Sequence, residues 1–328
     1  MRSPFALCLY WSCVLCLQGI DARSRTLPPQ FGGEEYVDFQ QWAETNHFQF
    51  AYSRKEKEEQ IELTSRSAKV VCRPNSQRAE INGISLFLAF PVAYHQGTAY
   101  ISQKDVDRSL RPILFPAKSK IRPAVRTIAL SAGHGGKDSG YQIGSEQEKK
   151  YTLLLAKEVQ RCAARAGLKT VLIRSSDKLV DREERSRLAV RAKADVFLEL
   201  HYNSAGAVNN EFRGAEVYCL TPAGANSTNG GADQYGDDLP GNRHDERNIL
   251  LAYQIHRSLV EGAGLGDRGI RRARFVVLRD AEMPAVLIET GFMSHPQEMR
   301  DIQDASRRRH IAQAILDGVL AYKRLIEH

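Results

Sequence analysis

In the stretch "DVFLELHYN", Asp195 to Asn203, residues Val196 to Leu200 read as a strand. Its period of two puts Val196, Leu198 and Leu200 on one face and Phe197, Glu199 and His201 on the other, with Glu199 deeper in the strand than His201. Working outward, apolar runs at 127–130, 169–173, 215–220, 275–278 and 285–288 also read as strands. Helical stretches lie between them at 148–166 (stopped by Gly167), 181–194 and 245–261. A last helix carries Ile311, Ile315, Val319, Tyr322 and Ile326 at steps of three or four, which lines one face. Strands alternating with helices of this length predict an α/β domain over 127–328, a mainly parallel sheet with helices on both faces.

Residues 36–115 predict a separate, small β-rich α+β domain. In "AEINGISLFL", Asn82-Gly83 between Ile81 and Ile84 is a hairpin signal, because both residues tolerate positive φ. A short amphipathic helix with Val37, Phe39 and Trp42 precedes it, and "TAYISQKDV" suggests a strand running into a second short helix. Prolines mixed with basic residues over 116–126 read as a linker. The Gly-, Asn- and Asp-rich stretch 222–244 reads as a long loop, either a lid or a family insertion.

Arg2 ahead of the apolar run Phe5 to Leu17, with small or polar residues around Gly19 and Ala22, has the layout of a secretory signal peptide over 1–22. That run is too short to span a bilayer as a helix, and no other stretch is long and apolar enough. The expectation is an exported protein of the periplasm or cell envelope with no membrane span once mature. Cys8, Cys13 and Cys16 fall in the leader; the scattered Cys72, Cys162 and Cys219 form neither a disulfide framework nor a thiolate metal site and read as buried thiols. A net charge of +7 favours polyanionic surfaces and is too modest to argue nucleic-acid binding.

Three apolar strands each end near a residue fit for metal or acid/base chemistry: His134, His201 and Glu289. Ligands collect outside the carboxyl ends of strands in open α/β sheets, so these three are candidates for one site. Two histidines and a carboxylate suit a catalytic zinc, with a second carboxylate as base. No His-Glu-x-x-His motif is present, and the residues alone leave two unrelated loop histidines equally open.

Five blocks in order, "AGHGGKDSG", "EKKYTLLLA", "LELHYNSA", "DRGIRRARFVVLR" and "PAVLIETGFMSHP", resemble the zinc-dependent N-acetylmuramoyl-L-alanine amidases that cleave bacterial peptidoglycan; the likeness runs from about Arg126 to Tyr322. Residue by residue, the resemblance implies Zn²⁺ ligands at His134, Glu148 and His201 and a catalytic glutamate at Glu289. It matches Asn203, Arg185 and Arg268 to positions that meet substrate or orient a ligand. The rival reading of Glu148 is the last residue of a Ser145-x-x-Glu capping box, with Glu146 as the functional acid; the register of "EKKYTLLLA" favours Glu148. Asp138 reads as an organiser of the glycine turn.

Two positions depart from the pattern. Ser131 stands where the family usually has an aspartate that could hold a ligand histidine's other nitrogen, and His295 stands where it has an asparagine, leaving His295 as a rival ligand or a substrate contact. The N-terminal unit, on "EINGISL" and "GTAYISQKDV", resembles the copper amine oxidase N-terminal domain, which implies wall anchoring. Alternatives to the amidase reading are a non-catalytic peptidoglycan-binding protein and a zinc peptidase cutting another bond of the stem peptide.

Overall fold

A computed structural model describes residues 30–31, 33–55, 58–118, 125–206, 208, 211–229 and 238–327. The leader, the middle of the 116–126 linker and the middle of the 222–244 loop lie outside them. Strands Lys169–Leu172, Thr127–Ala132, Val196–Asn203 and Ala285–Phe292 lie side by side in that order, all parallel. Ala215–Cys219 continues the sheet antiparallel to Ala285–Phe292, and Asp267–Arg272 follows parallel to Ala215–Cys219.

The alternation in "DVFLELHYN" sorts its side chains as the period of two requires. Val196, Leu198 and Leu200 pack into the larger core with Leu155 and Val159 of helix Glu148–Arg165 and Ile315 and Val319 of helix Ala305–Glu327. Phe197 packs on the opposite face with Ala189 of helix Arg182–Arg191 and Val277 of helix Val276–Arg279. Both faces of the sheet are therefore covered by helices, and the strand ends carry their polar residues to one edge.

Three local expectations change. The run at 275–278 is not a strand: Phe275 precedes the one-turn helix Val276–Arg279, whose Val277 and Leu278 are buried. Four apolar residues suit either element, and length alone does not decide between them. Asp267–Arg272 occupies the sheet position instead, although Ile270 is its only apolar side chain. Its buried arginine is held by hydrogen bonds: Arg272 is fully buried and donates to Arg108 O (2.9 Å) and Ser109 Oγ (3.0 Å). Helix Pro296–Gln303 also escaped the periodicity; Pro296 in its first turn needs no backbone donor there.

The Asn82-Gly83 hairpin forms as expected, with Ile81 opposite Ile84 and φ of 51° and 79° at the turn. Its second strand, Ile84–Phe87, pairs parallel with Asp267–Arg272 through Ile270 and Leu86. The antiparallel strands Arg78–Ile81, Lys69–Cys72, Glu58–Thr64 and Gln49–Lys55 then carry the same sheet to eleven strands among the described residues. Ser85 N–H donates to Asp267 (2.8 Å) and Tyr253 O–H to Ile81 O (3.0 Å), so the N-terminal region shares both sheet and core with the rest. A composition shift over 116–126 carries no signal of pairing between residues 182 positions apart. Cys72, Cys162 and Cys219 are buried free thiols, and no helix among the described residues is long and apolar enough to cross a membrane.

Candidate active site

The site begins where Thr127–Ala132 ends. Gly133 still holds the sheet by donating to Leu200 O (2.9 Å), and any Cβ there would collide with the His201 ring. His134 then turns the chain at φ 61°, a left-handed conformation that a non-glycine residue adopts only where the surroundings enforce it. Asp138 enforces it from four residues on: Oδ1 accepts the Gly140 N–H (3.1 Å) and Oδ2 lies 2.9 Å from His134 Nδ1. Gly140, at φ 64°, is needed for space as well, since a Cβ there would lie 2.6 Å from Glu148 Oε2. Asp138 thus does more than organise the turn, because it also fixes which His134 nitrogen faces the site.

Glu148 is the first residue of helix Glu148–Arg165, and the capping box of the rival reading does not form. Gln147 is the N-cap, with no side-chain cap bond. The Glu148 carboxylate instead accepts from Tyr141 N–H (3.0 Å) and Tyr202 N–H (3.2 Å), with His134 Nε2 at 3.1 Å and His201 Nδ1 at 2.9 Å. Burial pushes this carboxyl up, but its bonds to His134 and His201 outweigh burial and hold it far below the ordinary carboxylate range. Glu146, the rival acid, faces away and pairs with Lys150 (2.9 Å) and Tyr151 O–H.

His201 and Glu289 are direct partners across the parallel strands Val196–Asn203 and Ala285–Phe292. His201 presents Nδ1 to Glu148, while its Nε2 lies 3.2 Å from Glu199 Oε1. Burial would lower the His201 pKa, but Glu148 and Glu199 raise it to about 10. Glu289 has a buried Oε2 with no hydrogen-bond partner. Burial pushes its carboxyl up, His201 draws it down, and Glu148, Glu216 and Glu199 push it up again, leaving it at about 8. His134, Asp138, Glu148, Glu199, His201 and Glu289 line one cavity of about 590 Å³, whose wall includes Tyr141, Phe275 and Leu287.

One donor atom each from His134, Glu148 and His201 lies within 4.8 Å of the others. Two imidazoles and a carboxylate, each imidazole with its far nitrogen on a carboxylate, make a donor set that fits zinc.

The remaining expected site residues have other partners. Arg185 is buried and pairs with Glu199, with its Nε donating to Val180 O (3.1 Å). Arg268 binds Glu216 (2.9 Å) and lies over the rings of Phe212 and Phe292. Asn203 lines the cavity, donates to Glu216 (2.9 Å) and accepts the Ser204 N–H (2.7 Å). His295 caps helix Pro296–Gln303 by accepting the Glu298 N–H (3.3 Å). Glu216, which gathers Asn203, Arg268 and Tyr218, carried no signal in the sequence beyond its place in a strand.

Residues 128–321 match the family described as N-acetylmuramoyl-L-alanine amidase. The chain belongs to this amidase family. The amidase AmiA of Escherichia coli is 31% identical over 230 residues, which cover 62% of this chain and 78% of AmiA. The amidase LytC of Bacillus subtilis is 32% identical over 198 residues, 60% of this chain but only 36% of LytC. Among solved structures, the catalytic domain of the amidase CwlV from Bacillus (Paenibacillus) polymyxa var. colistinus is similar with a TM-score of 0.50 and 30% identity, covering 61% of this chain and 99% of that domain. The family match begins at Ile128, in strand Thr127–Ala132, so the N-terminal strands stand outside it.

Proposed function

We propose that this amidase hydrolyses the bond between the lactyl group of N-acetylmuramic acid and the L-alanine of the stem peptide in bacterial peptidoglycan. The observation that carries the reading is the register of His201 opposite Glu289, which sets an unpartnered carboxylate one strand away from the clustered His134, Glu148 and His201. These three would hold Zn²⁺ through His134 Nε2, a Glu148 oxygen and His201 Nδ1. Bound there, zinc supplies a Lewis-acid charge for the scissile carbonyl and the attacking water. Glu289 takes the water's proton at its carboxylate and returns it to the nitrogen of the departing L-alanine. Phe275 and Leu287 make part of the cavity wall apolar, which limits competing water near the reacting atoms.

Export to the periplasm or cell envelope belongs to the same proposal, because the substrate lies outside the cytoplasm. Loose association of the whole chain with a polyanionic envelope is supported by its net charge of +7. The direct test is digestion of purified sacculi: chelator abolishes solubilisation and added zinc restores it, whereas digestion indifferent to chelator contradicts the metal reading.

Zinc must displace protons to reach its ligands, so its affinity depends on pH. At pH 7 the metal-free protein carries a proton on His201, raised to about 10, and largely on Glu289, raised to about 8. Calorimetric titration with zinc in buffers of different ionisation enthalpy is expected to show release of at least about one proton per ion at pH 7, with affinity rising from pH 6 to 8. Binding without proton release would contradict the assignment of His201 as ligand.

A further inference from the structure

The geometry points to Glu199 as the positioning residue for His201, with Arg185 as its anchor, an acid standing one strand over from the place where the family's aspartate is missing. Ser131 and Glu199 are direct Cα partners in the parallel ladder between Thr127–Ala132 and Val196–Asn203. Partners in register lie about 5 Å apart and point to the same face of a sheet. An acid at either position therefore reaches the same volume. Two would place like charges side by side, which is destabilising, and the small Ser131 leaves that volume to Glu199.

Glu199 is fully buried on a strand, where a carboxylate is costly unless it is paired. Its partners have different tasks. Arg185, itself buried and held by Val180 O, binds Glu199 Oε1, and the same oxygen lies 3.2 Å from His201 Nε2. An acceptor at Nε2 keeps the proton on that nitrogen and leaves the Nδ1 lone pair on the side of the donor cluster, where Glu148 Oε1 lies 2.9 Å away. Asp138 performs the matching task on His134, where it holds Nδ1 and leaves Nε2 for the cluster. The two imidazoles thus use opposite nitrogens, each chosen by a carboxylate on its far side. Arg185, expected from sequence to meet substrate, acts here through Glu199 and His201.

This inference rests on the zinc reading above, and its test separates the two. Zinc affinity is measured on the full chain by competition with a chromophoric chelator, without substrate. A parent protein that takes no zinc overturns the zinc reading itself. With parent binding in hand, Glu199→Gln is expected to weaken zinc about 10–100-fold, the range for loss of a carboxylate behind a ligand histidine. Zinc on Nδ1 keeps the proton on Nε2, so in the ¹⁵N spectrum of the loaded variant the His201 Nε2–H signal is expected to move away from its parent position to that of a weaker hydrogen bond, the charged acceptor being gone. Moving the acid back is the decisive control: Ser131→Asp in a Glu199→Ser background is expected to recover at least about tenfold of the affinity lost by Glu199→Ser alone, or to restore its fold if the single variant does not fold. A folded Glu199→Gln that binds zinc within about twofold of the parent and keeps the parent's His201 Nε2–H signal overturns the inference, since an outer carboxylate of this kind is worth at least about tenfold. So does an exchange variant no better than Glu199→Ser.

Discussion

Replacing Glu289 by glutamine is expected to lower turnover on sacculi by about 10³-fold, on the order of 4 kcal/mol of transition-state stabilisation, while zinc still binds. Glutamine keeps the size and the hydrogen-bonding oxygen of the residue but cannot take the proton of water. Because Glu289 Oε2 has no hydrogen-bond partner, the substitution breaks few contacts in the fold. Its effect on stability has a definite sign. The Glu289 pKa rises from 4.5 to about 8 on folding, so the metal-free fold favours the protonated acid and loses stability as pH rises through that window. At pH 8 metal-free Glu289→Gln should therefore melt at or above the parent temperature. An inactive variant with a raised or unchanged melting point isolates chemistry from folding; a variant as active as the parent removes Glu289 from the reaction.

Glu148→Gln is expected to fail differently, through the metal and the fold together. It removes a proposed zinc donor, so zinc affinity should drop by more than the roughly 100-fold that losing an outer partner costs, and activity should go with it. In the metal-free protein the same carboxylate links His134, His201 and the amides of Tyr141 and Tyr202. The depressed Glu148 pKa contributes stability above its ordinary value of 4.5, lost as pH falls. The raised His201 pKa contributes stability that is full below 6.5 and lost as pH rises through about 10. Thermal melts of the metal-free parent should thus favour the interval between these ordinary values, and Glu148→Gln should flatten both flanks. Unaltered flanks would mean that the charge cluster does not contribute to the fold.

How far these residues can be read from sequence depends on whether their signal is local. His134, His201 and Glu289 stand at or just beyond the ends of apolar runs, and a parallel sheet brings the ends of its strands to one edge, so their convergence follows from periodicity and order. Glu148 is ambiguous by residue type and position, because an acid opening a helix suits a cap as well as a metal; the family register favours the metal, and the two histidines folded onto it distinguish the two. The alternation of "DVFLELHYN" puts Glu199 on the His201 face, yet its anchor Arg185 lies in helix Arg182–Arg191, where four arginines and two glutamates in ten residues give no period that singles out one buried side chain. Asp267–Arg272 was hidden for a related reason. A strand with one apolar side chain has no period to detect, and its burial depends on Ser85, Arg108 and Ser109, which come from the N-terminal region. Pairing between distant segments leaves no mark in the composition, and that pairing makes one sheet of the regions on either side of residues 116–126.

The most direct test of the amidase reading is the mass spectrum of fragments that the zinc-loaded protein releases from sacculi. Stem peptides beginning with a free L-alanine amine, together with glycan carrying an intact lactyl carboxylate, are the predicted products. Peptides cut further along the stem, with L-alanine still attached to N-acetylmuramic acid, would contradict it.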